Sequence, residues 1–122
     1  MGAWQGRSGR RTFNSLFVFR LFLDDGHVDL YLEYPTYPSR VSGRESIIEE
    51  VGQATGVKGQ FAIRESHDVV DPAVNEVRKA VWITFGVGFP VEKMTSAHLK
   101  EVFAGLRSAI ATCSDLIPEV GV

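Results

Sequence analysis

The chain reads as an α+β two-layer sandwich: an antiparallel four-stranded sheet with two helices on one face, in the order ββαββα. Three observations predict it. Val28, Leu30, Leu32 and Tyr34 alternate with Asp29, Tyr31 and Glu33, the period of a half-buried strand. Asp25-Gly26 stands between that segment and the preceding apolar run, a pair suited to the positive φ angles of a tight hairpin turn. Leu99, Val102, Phe103, Leu106, Ala109, Ile110 and Cys113 recur at helical spacing near the C-terminus. Helices following pairs of hairpin-linked strands pack on one face of the sheet.

In chain order, 1–10 is a flexible basic arm and 11–122 a single α+β domain. The arm has Arg7 and Arg10 among glycines and serine, with Arg11 just after it. Arg11 to Leu23 forms the first strand, rich in Phe, Leu and Val. Its two parities are both apolar, so its inward face stays open. The second strand spans Val28 to Tyr34 and ends at Pro35, which donates no ladder hydrogen bond. The stretch Pro35 to Gly43 is an irregular loop. A helix follows from about Arg44 to Thr55, with Ser42 as N-cap, Glu45 completing a capping box, and Gly56 as the stop. Lys58 to Glu65 forms the third strand. The segment 66–78 fits either a short helix started at Asp71-Pro72 or a long polar hairpin loop. Lys79 to Phe89 forms the fourth strand, and Thr95 caps the last helix, Ser96 to Leu116. Residues 119–122 are a tail.

Composition narrows the class. The chain has 122 residues, 44% of them hydrophobic, and a formal charge of −2, which suits one globular domain. No apolar run reaches the roughly 18 residues a membrane span needs, and no signal-peptide core follows Met1. One cysteine excludes an internal disulfide and any multi-thiol metal site. The reading is a soluble cytoplasmic domain. The body of the chain has no basic stripe, so nucleic acid is not expected as a partner, and the arginines of the arm are read as solvated.

Chemical motifs are sparse. Ser66-His67-Asp68 has the residue types of a triad, but neighbours on an extended chain point to opposite sides. Glu65, His67, Asp68 and Asp71 are zinc- or manganese-type ligands whose spacing fits no defined motif, and they read as solvated loop residues. An EF-hand counted from Asp24 needs an acid at position 35, where Pro35 stands. Gly86-Val87-Gly88 lacks the third glycine and the helix start of a phosphate loop. Cys113 falls in the apolar stripe of the last helix and reads as a small hydrophobe. Asp29 and Glu33 lie roughly 13 Å apart along one strand, too far for a glycosidase pair, so ion pairing with Arg20 or Arg64 is expected. No catalytic residue, metal site or cofactor is assigned.

The functional expectation follows from the layers. With both helices on one face, the other has no cover of its own. Leu16, Val18, Arg20, Phe22, Tyr31, Arg64, Trp82, Thr84 and Gly86 are expected there, as ligand or interface residues. Burying some 400 Å² of such a surface stabilises by on the order of 10 kcal/mol before association costs. The sequence therefore reads as a non-catalytic binding or interaction domain that homodimerises through that face. One alternative is a small-molecule sensor using the same face or a pocket at the dimer boundary, with Gly86 and Gly88 leaving room for the ligand. Cover by the arm or loops of the same chain is another. An enzyme acting through the 65–71 loop is a further one.

Overall fold

The computed structural model of the chain describes residues 7–8, 11–12, 18–71 and 73–121, with backbone only at 7–8, 11–12, 61–68 and 71. Two short strands, β1 (Arg7–Ser8) and β2 (Arg11–Thr12), pair with each other. The main sheet comprises β3 (Val18–Asp24), β4 (His27–Thr36), β5 (Lys58–Asp71) and β6 (Glu76–Pro90). Its spatial order is β3-β4-β6-β5, antiparallel throughout. The helices are α1 (Pro38–Val41), α2 (Glu45–Thr55) and α3 (Ser96–Leu116), with one 3-10 turn at Val91–Lys93.

The hairpin turn forms at Asp25-Gly26, both with positive φ, and pairs Asp24 with His27. Val28, Leu30, Leu32 and Tyr34 of β4 meet Val81, Ile83, Phe85 and Phe89 of β6 in one core with Ile48 and Val51 of α2 and Val102, Leu106, Ala109, Ile110 and Cys113 of α3. All eight strand residues share one face, so α2 and α3 roof the same side. The α+β two-layer sandwich is thus the architecture. The Thr95 hydroxyl accepts the His98 N–H, the cap expected for α3, and Gly56 adopts the left-handed conformation that stops α2.

Several local expectations are corrected. The strand β4 does not end at Tyr34 but runs through Pro35 to Thr36. In an antiparallel strand a residue's N and C=O face the same side. The Pro35 carbonyl accepts from the Val120 N–H, so its missing N–H faces the C-terminal segment rather than β6. The loop after it contains the single turn α1, with Pro38 at its start. No side chain caps α2, so the Ser42–Glu45 box does not form. The described part of the segment 66–78 is mostly strand: β5 continues past a bulge between Ile63 and Asp68 to Asp71, 73–75 form a turn, and β6 begins at Glu76, paired with Asp71. Residues 65–71 therefore lie in a strand. The C-terminal tail is docked, with Ile117 and Val120 fully buried. No helix among the described residues is long and apolar enough to cross a membrane.

Candidate functional site: the second face and the free edge of the sheet

Strand register places the residues of the second face in four rows. Facing residues of antiparallel strands project to the same side. Phe22, Asp29 and Gly88 form the first row. Arg20, Tyr31, Gly86 and Lys58 form the second. Val18, Glu33, Thr84 and Gln60 form the third, and Pro35 with Trp82 the fourth. The parity of β3 is thereby decided: Val18, Arg20 and Phe22 share this face, while Phe19, Leu21 and Leu23 face the helices.

This face is not bare, which corrects the expectation of a surface without cover. Trp82 is only 7% exposed and Glu33 fully buried, with Pro35 and Thr84 also buried. The opposite end stays open: Phe22 is 50% exposed, Gly88 is exposed, and Asp29 and Tyr31 are half-buried. Of the residues expected here, Val18 and Arg20 are half-buried in β3 and Gly86 is buried in β6. Leu16 lies outside the described residues, and Arg64 lies in the bulged part of β5 with only its backbone described. The side chains of Glu65, His67, Asp68 and Asp71 likewise lie outside the described residues.

Arg20 Nε stands 3.0 Å from Glu33 Oε1, the cross-strand ion pair expected from the sequence. The guanidinium is partly exposed and the carboxylate fully buried, so the pair neutralises a charge that burial would otherwise disfavour.

Glycines shape the open end. A methyl on Gly86 would lie 2.5 Å from the Tyr31 ring, and one on Gly88 would lie 2.7 Å from Asp29 Oδ1 and 2.8 Å from His27 Nε2. Tyr31 and Asp29 thus lean across β6 over positions without side chains, and His27 Nε2 sits 3.5 Å from Asp29 Oδ1. The result is a trough of about 360 Å³ lined by Asp29, Tyr31, Lys58, Gln60, Gly86 and Gly88, with the Gly56-Val57 turn at its side.

The helix side of β3 was not anticipated. α2 packs on β5 and α3 over β4 and β6, so the roof stops short of β3. Phe19 reaches α3, with its ring centroid 4.9 Å from that of Phe103. Beyond it Leu21 is 44% and Leu23 61% exposed. A cleft of about 270 Å³ is lined by Phe19, Leu32, Phe103 and Arg107. The signal for this overhang was the apolar character of both parities of the first strand.

Cys113 is fully buried beside the Tyr34 hydroxyl, which donates to the Ile117 carbonyl at 2.7 Å. Burial pushes the Cys113 thiol above its ordinary range, and burial followed by the neighbouring Cys113 pushes the Tyr34 phenol far above its own. Such a thiol is a packing group rather than a nucleophile. No family model, no curated protein and no solved structure matches the chain.

Proposed function

We propose that the chain is a non-catalytic interaction module that self-associates through β3 and the open end of its sheet. The observation that carries this reading is the run Leu21-Phe22-Leu23, exposed on both sides of an edge strand. An edge strand presents a row of unpaired N–H and C=O groups, and a long apolar one is a template for another strand. Among the described residues no strand pairs with the outer edge of β3. Antiparallel pairing of β3 with its own copy satisfies a two-fold axis, the commonest symmetry of homo-oligomers. Leu21 and Leu23 of both copies then close over one face and Phe22 over the other, extending the roof that α3 leaves short.

This changes the residues at stake. Trp82, buried within one chain, belongs to the fold rather than to the contact, and its replacement tests folding instead of association. Leu21→Lys with Leu23→Lys is the appropriate variant, because both positions are exposed in the isolated chain. Light scattering at micromolar concentration should give about twice 13.5 kDa for the unmodified chain and 13.5 kDa for the double variant. A monodisperse, folded monomer of the unmodified chain would sink the proposal.

A further inference from the structure

The outer edge of β3 carries a further inference, which rests on the self-association proposed above and concerns the register in which two copies meet. The hairpin decides which backbone groups are on offer. Asp25 and Gly26, both with positive φ, are its two turn residues, and Asp24 pairs with His27 across them. The residues flanking a two-residue turn exchange backbone hydrogen bonds, and hydrogen-bonded pairs alternate along the ladder from there. Asp24, Phe22 and Arg20 therefore turn their N–H and C=O groups towards β4. Those of Leu21 and Leu23 point outward from the edge. A second β3 docks on these outward groups, and about a two-fold axis it sets odd residues against odd and even against even. Charge then distinguishes the registers that remain. Arg20 and Asp24 share one side of β3, the first before Phe22 and the second after it. Arg20 meets Glu33 through Nε and is partly exposed, and a guanidinium has more donors than one such contact uses. Asp24 is exposed and makes no ion pair among the described residues.

We propose that two copies of the chain pair antiparallel through β3 about a two-fold axis at Phe22, so that Arg20 of each copy meets Asp24 of the other. In this register Leu21 of each copy faces Leu23 of the other, and these pairs supply the new backbone hydrogen bonds. Phe22 faces its own counterpart in a pair without hydrogen bonds, where side chains approach most closely. Each Phe22 ring already meets the Tyr31 ring of its own chain edge-on at 5.8 Å, so the aromatic contact continues across the axis. The three exposed apolar residues are thus matched among themselves, and the charges on either side of them are matched by sign. Neighbouring registers do neither. An axis at Leu21 sets Asp24 against the half-buried Val18. An axis at Leu23 sets Phe22 against Asp24 and Leu21 against Asp25. An axis at Arg20 opposes two arginines. Each of these places a charge against an apolar side chain or a like charge, and both arrangements are unfavourable.

Cysteine cross-linking of the full chain reads the register directly. The native Cys113 is fully buried and stays in place, with the unmodified chain as the control. In a glutathione redox buffer Phe22→Cys should form a covalent dimer at micromolar concentration, because facing Cα atoms in a pair without hydrogen bonds lie within disulfide reach. Leu21→Cys and Leu23→Cys, each alone, should cross-link at least about tenfold more slowly, since each faces a leucine of the other copy. Mixed together, the two should cross-link readily. All three positions are exposed in the isolated chain, so these variants should fold, as circular dichroism would check. Asp24→Lys tests the ion pair: it sets a like charge against Arg20 on both sides of the axis and should weaken the dimer about tenfold or more by light scattering at low salt. A dimeric chain that cross-links at Leu21→Cys or Leu23→Cys alone, or at none of the three positions, overturns this register while leaving self-association standing. So does a dimer indifferent to Asp24→Lys. An unmodified chain that is monomeric overturns both proposals.

Discussion

Gly52, inside α2, shows how one missing side chain positions a layer. A methyl there would lie 2.6 Å from the Gly59 nitrogen and 2.6 Å from the Val57 carbonyl oxygen, both backbone atoms of the β5 entry. A methyl on Gly59 would meet the Ile48 carbonyl oxygen at 2.5 Å. The helix and strand therefore touch backbone to backbone. Glycine in a helix interior costs about 1 kcal/mol relative to alanine, so propensity alone predicts that Gly52→Ala stabilises. Sterics win here, because backbone cannot yield as a flexible side chain does. Gly52→Ala should destabilise by about 1–3 kcal/mol, read as a lowered Tm in calorimetry. Tyr34 and Cys113 give a second prediction. Both are held neutral in the fold, with ionisation pushed upward. The unfolded chain releases these protons near pH 9 and pH 10, at the groups' ordinary values. Their contribution is complete below those values and is lost as pH rises beyond them. Chemical unfolding should show constant stability from this pair up to about pH 8, then a fall approaching 1.4 kcal/mol per pH unit for each group. Cys113→Ala should remove the first of the two breaks.

At the scale of elements, the C-terminal segment is a docked strap rather than a tail. The Thr36 hydroxyl donates to the Pro118 carbonyl. Arg40 Nη1 donates to the carbonyls of Pro118 at 3.0 Å and Glu119 at 2.7 Å, and Arg44 Nη1 to that of Leu116 at 3.2 Å. Arg44 thus satisfies a carbonyl that the C-terminus of α3 leaves unpaired and complements its dipole, while Arg40 pins the segment that follows. Truncation after Leu116 should strip Ile117 and Val120 from the core and cost several kcal/mol, with Arg40→Ala a smaller loss of about 1–2 kcal/mol in urea unfolding. Little of this was legible. Ile117 and Val120 are isolated apolar residues without a period, and their partners come from the far end of β4 and from α1. The period-two alternation of β4 and the stripe of α3 were legible because each element buries one face along its whole length. The parity of the first strand was not, since the roof stops short of it and apolar residues stand on both sides. The same overhang hid which apolar residues stay exposed: the sequence expected Trp82 among them, whereas Trp82 is buried and Leu21, Phe22 and Leu23 are exposed.

Across the whole molecule, the sheet is larger than its roof, and the excess emerges at two places. One is β3. The other is the hairpin formed where β5 and β6 outrun β4, whose pairing with β6 stops at Thr36↔Val81. Beyond the bulge, Asp68 to Asp71 pair with Glu76 to Lys79 in a two-stranded arm. Val70, Val74 and Val77 are exposed there, and the Arg78–Glu76 ion pair at 2.6 Å lies on the surface. Among the described residues of the arm none belongs to the core. An exposed ion pair contributes little, and an isolated two-stranded ribbon is marginal in water. The arm therefore adds surface without stabilising the layers. Replacing 69–78 by an Asn-Gly turn keeps the Asp68↔Lys79 pairing and shortens the connection, which lowers its closure entropy. The shortened chain should melt within a few degrees of the original, since changes away from core and caps stay within about 0.5 kcal/mol. It should also retain the same number of copies by light scattering, because β3 lies at the opposite edge of the sheet. A shortened chain that melts normally but becomes monomeric would move the contact from β3 to the arm, and one that fails to fold would show that the ribbon supports the layers after all.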